Sequence, residues 1–95
     1  MTSDEFKALG DPAKLSLPLQ ALWYDAQGDW EAAHDLAQAA AIPDGDWVHA
    51  YLHRKEGDAG NARYWYAQAS RPEFRGPLAA EWAAIATELL ARQQR

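Results

Sequence analysis

His49 and His53 stand four residues apart with Glu56 three further on, and no other residues of this chain point to a more definite chemistry. On a helix turning about 100° per residue, the three side chains fall within about 60° of one another, on the side away from Trp47 and Val48. Two imidazoles so placed can share a divalent metal such as zinc, and His34 or Glu56 could add a ligand. The spacing is not that of a zinc peptidase, because Ala50 follows His49 where the general-base Glu would stand. The competing reading is a hydrogen-bonded or solvated pair that holds no metal.

Little else in the sequence suggests a reaction. Cysteine is absent, which excludes disulfides, thiolate chemistry and Cys-based zinc sites. Asp25, Glu31 and Asp35 have no nucleophile beside them, and there is no Gly-rich phosphate loop, no Ser elbow and no Cys/His pair. No catalytic residue is therefore expected. Nine basic against 14 acidic residues leave a net charge of −5, and neither Arg54-Lys55 nor the run Arg92 to Arg95 concentrates enough cation to hold a phosphate backbone. Nucleic acid is not an expected partner. No stretch approaches the roughly 18 apolar residues of a membrane span and the N-terminus lacks an apolar signal core, so no membrane association and a cytoplasmic location are expected.

The elements that must position these residues are helices. Ninety-five residues support one small core, so residues 1–95 are expected to form a single helical domain. Five Trp would supply much of its burial. Residues 1–16 read as a short helical turn and a loop. Leu19, Leu22, Trp23 and Ala26 recur at helical spacing, Gly28 ends that helix, and a second runs from about Trp30 to Ala41. Pro43-Asp44-Gly45-Asp46 reads as a turn before a third helix ending near Glu56. A fourth spans about Gly60 to Ser70, with Trp65 and Tyr66 expected in the core. Gly76-Pro77 opens a fifth, whose tail from Arg92 to Arg95 is expected to fray. The expected fold is all-α: hairpins over 17–43 and 44–72, capped by a helix over 76–92.

The two hairpins carry the same punctuation. Gly28-Asp29, Ala33, Ala40 and Pro43 recur as Gly57-Asp58, Ala62, Ala69 and Pro72, all at one offset of about 29 residues. The run Gly28-Asp29-Trp30-Glu31-Ala32-Ala33, with Ala37 and Ala40 after it, resembles the tetratricopeptide repeat, although its period is shorter than the family's 34. Trp47-Val48-His49-Ala50-Tyr51-Leu52-His53-Arg54-Lys55-Glu56-Gly57-Asp58, with Asn61-Ala62, Tyr64-Trp65-Tyr66, Ala21-Leu22-Trp23 and His34, also resembles a group of small bacterial proteins that offers no activity to carry over.

Stacked hairpins leave a concave surface, and repeat arrays generally need three or more units for stability. The leading expectation is thus a helical-repeat adaptor that takes a protein or peptide in the groove between hairpins, or self-associates as a homodimer. Tyr24, His49, His53, Arg54 and Tyr64 are its expected contacts, the tyrosines because both lie off the apolar faces of their helices. The alternative is a metal- or small-ligand-binding protein, with modest hydrolytic activity, built on His34, His49 and His53 with Glu56 or Tyr51 nearby.

Overall fold

The computed structural model describes residues 1–93, which form six helices and no strand: α1 (Ser3–Lys7), α2 (Leu17–Ala26), α3 (Trp30–Ala39), α4 (Pro43–Lys55), α5 (Ala59–Ala69) and α6 (Leu78–Gln93). Helices α2 and α3 form one hairpin, α4 and α5 the second, and α3 packs on α4 to join them. The turn chemistry repeats as the sequence does. Gly28 and Gly57 end α2 and α4 at φ of 89° and 90°, a region where an L side chain is strained. Asp29 and Asp58 then cap the following helices, accepting from the backbone N–H of Ala32 at 3.0 Å and of Asn61 at 3.1 Å.

The two prolines do different things. Pro72 follows α5 as expected, but α3 ends at Ala39 and Pro43 opens α4 at its first position. Proline's fixed φ and missing donor suit a first turn, so Pro43 to Asp46 is helix where a turn was expected. Gly45 lies where α4 leaves the end of α3, and a Cβ there would fall 2.0 Å from the Ala40 carbonyl oxygen. Small size, not backbone freedom, is what this position requires.

Helix α6 lies against α2 and α4, and α1 closes over α2 and α6. The chain's own last helix therefore covers the first helices of both hairpins. Trp82 anchors it: the indole is 5% exposed, stacks on Phe6 at 5.7 Å and donates to the Leu22 carbonyl at 3.0 Å. Two further indoles tie separate segments, Trp23 donating to Leu9 O at 3.0 Å and Trp30 to Leu52 O at 2.9 Å. Phe6 is fully buried, so α1 belongs to the core, held by a capping box between Thr2 and Glu5.

The end of α6 is also better held than expected. Arg92 bridges Asp44 and Glu88 at 2.8 Å each, and Gln93 accepts from the Ser16 N–H at 3.2 Å; Gln94 and Arg95 lie outside the described residues. Among the described residues no helix is long and apolar enough to cross a membrane.

Packed by α2, α3, α5 and α6, helix α4 is central. Val48, Tyr51 and Leu52 join the main core, while Ala50 joins Ala62 and Tyr66 in a second cluster. The remaining sides of α4 carry its polar residues, and they too meet protein.

Candidate metal centre

Three histidines converge where α3, α4 and α5 meet. His49 and His53, one turn apart on α4, are 3% and 7% exposed, and His34 reaches them from α3. One ring nitrogen from each lies within 4.8 Å of the others. His34 Nε2 and His49 Nε2 are 2.9 Å apart, so one ring donates to the other. Of the competing reading, a hydrogen-bonded or solvated pair that holds no metal, the hydrogen-bonded form is met, since His49 pairs with His34 and His53 with Glu56, and the solvated form is not. Periodicity locates the polar stripe of α4 but not its neighbours, and here the stripe faces α3 and α5.

Tryptophans wall the cluster. Trp30 stacks on His34 with ring centres 4.9 Å apart, and Trp65 stacks on His49 at 4.0 Å. Trp65 is thus half-buried against histidine, while Tyr66 enters the second core cluster. Burial under these rings, followed by the proximity of His34 and His53, lowers the His49 pKa from 6.5 to about 4. At neutral pH His49 is an uncharged imidazole, the form that binds a metal.

Glu56 reaches His53 from one turn further along the chain, its Oε1 2.6 Å from Nδ1. That bond occupies Nδ1 and leaves Nε2 as the ring's other donor atom. Glu56 is better placed to orient His53 than to bind a metal shared with His34, which is the usual relation of a carboxylate to a ligating histidine. Asp58 lies close enough to form a second trio with His53 and Glu56, but its carboxylate caps α5.

The other expected contacts divide. Tyr64 is 56% exposed, edge-on to Trp65 at 5.0 Å. Tyr24 is half-buried, edge-on to Trp23 at 5.1 Å and packed against the main core. Arg54 is committed to the interior, donating to Glu81 Oε1 at 2.9 Å and to the Gly76 carbonyl while its guanidinium lies over Phe74. Tyr51 points away from the histidines, donating to Asp25 Oδ2 at 2.8 Å.

Two carboxylates are buried: Asp25, which the sequence presents only as an acid without a nucleophile, and Glu81, which no motif marks. Glu81 is 1% exposed and accepts from both Arg54 and the Tyr66 hydroxyl. Asp25 is 4% exposed and is shared by Tyr51 and Lys55. Burial, reinforced by these carboxylates, pushes both phenols far above their usual range and keeps them as donors.

No protein-family model matches the chain, and neither does any curated protein or solved structure.

Proposed function

We propose that the protein binds a zinc-like divalent cation through His34, His49 and His53. The observation that carries this reading is the convergence of three ring nitrogens, from two helices in different hairpins, within 4.8 Å. Bonds of about 2.0–2.1 Å in a tetrahedral set place ligand nitrogens about 3.3 Å apart, so the 2.9 Å between His34 and His49 needs to open by only a few tenths of an ångström. The all-nitrogen donor set suits zinc, nickel or copper over calcium or magnesium. Three histidines leave a fourth position for water or another ligand.

The consequence is mechanical as well as chemical. His34 belongs to the first hairpin and His49 and His53 to the second, so a shared metal would clamp α3 to α4 and stabilise the folded chain in proportion to its occupancy. Glu56 holds the His53 ring in the tautomer that leaves Nε2 as donor. Titration calorimetry with zinc and with nickel tests the reading. Micromolar or tighter binding of one metal per chain, weakened at least tenfold by His34→Ala, supports it. Absence of heat, or binding indifferent to His34, refutes it.

A further inference from the structure

A cavity of about 240 Å³ lies between the ends of α1, α2 and α4 and the start of α6. Its apolar lining comes from Leu78, Ala79 and the Trp82 indole. Lys7, Lys55 and Asp25 line it as well, the Lys7 ammonium lying over the Trp82 ring. Asp25 is nearly fully buried and both its oxygens are engaged, Oδ1 with Lys55 Nζ at 2.8 Å and Oδ2 with the Tyr51 hydroxyl at 2.8 Å. The Lys7 ammonium sits 4.9 Å from the centre of the Trp82 ring and pairs with no carboxylate among the described residues.

Counting charges gives two ammonium groups against one carboxylate. This corner of an otherwise acidic chain is thus left one positive charge in excess, beside an aromatic wall. A dianion would bring its second charge up to Asp25, and a cation would meet two lysines. A neutral apolar molecule would leave the lysines desolvated without a partner. A single negative charge on an apolar body fits all of these constraints, and a body of about one ring fits within the 240 Å³.

We infer that this cavity is a binding site for a small organic monocarboxylate, its carboxylate held between Lys7 and Lys55 and its apolar body laid against Trp82, Leu78 and Ala79. The site is independent of the histidine cluster, being built on the opposite side of α4 around Tyr51 and Lys55.

The test is a nuclear magnetic resonance titration of isotope-labelled, chelator-treated protein with benzoate, and with benzamide as its neutral counterpart. Benzoate should shift the Trp82 indole N–H saturably at millimolar concentration and benzamide should not. Lys7→Ala, at a residue that holds no ion pair, should weaken benzoate about tenfold, the loss expected for one charge-assisted contact. No saturable shift with benzoate, an equal response to benzamide, or unchanged affinity in Lys7→Ala would overturn the inference.

Discussion

Acid should weaken this fold through His49 in particular, by an amount that follows from its burial. The imidazole is 3% exposed, walled by Trp65 and by two further histidines, and its pKa falls from 6.5 to about 4. Between those values the unfolded chain binds a proton at this position and the folded chain does not, so stability falls as pH falls. The drop, at about 1.4 kcal/mol per pH unit, amounts to about 3 kcal/mol between pH 6.5 and 4, with no further loss from this group below that. Replacing His49 by Gln keeps a polar group beside His34 and removes the titration. Urea unfolding followed by tryptophan fluorescence, in chelator, should show wild type losing about 3 kcal/mol relative to H49Q across that interval. The difference between the two proteins isolates His49 from the carboxylates, which titrate in both. A stability difference that stays flat from pH 6.5 to 4 would refute the reasoning, since it would mean that His49 accepts its proton as readily folded as unfolded.

Three further outcomes are expected from the same unfolding assay. Gly45→Ala should cost about 1–3 kcal/mol by overpacking, since its Cβ meets the Ala40 carbonyl, whereas Gly57→Ala, with nothing within 4 Å, should cost only about 1 kcal/mol of backbone strain. Glu81→Ala should cost about 3–5 kcal/mol because it strands Arg54 and the Tyr66 hydroxyl; Glu81→Gln, which can still accept, should cost less. Trp82→Ala should cost about 3–5 kcal/mol and release α1 with α6, seen as fast amide exchange at Phe6.

The parts of the fold that local chemistry dictates could be read from the residues alone. Gly28-Asp29 and Gly57-Asp58 reverse the chain and cap a helix through atoms no more than a few residues apart, so the pattern of residue types was sufficient to locate both hairpins. Pro43 was misassigned because proline both follows one helix and opens another, and the choice depends on Gly45 letting α4 start close against Ala40. The site was half legible. His49 and His53 share a face by helical geometry, but His34 joins them only through the packing of α3 on α4, which no spacing encodes. Their burial follows from the central position of α4, a property of topology. Asp25 and Glu81 sit at the flanks of apolar stripes, where periodicity separates neither inside from outside nor a paired carboxylate from a solvated one.

X-ray absorption at the zinc edge, on protein loaded with one equivalent, tests the central claim most directly because it reports the ligands themselves. Three imidazoles at about 2.0–2.1 Å, reduced to two in His34→Ala, are the expected result. Fewer than three imidazoles in the wild type, or a spectrum that His34→Ala leaves unchanged, would contradict it.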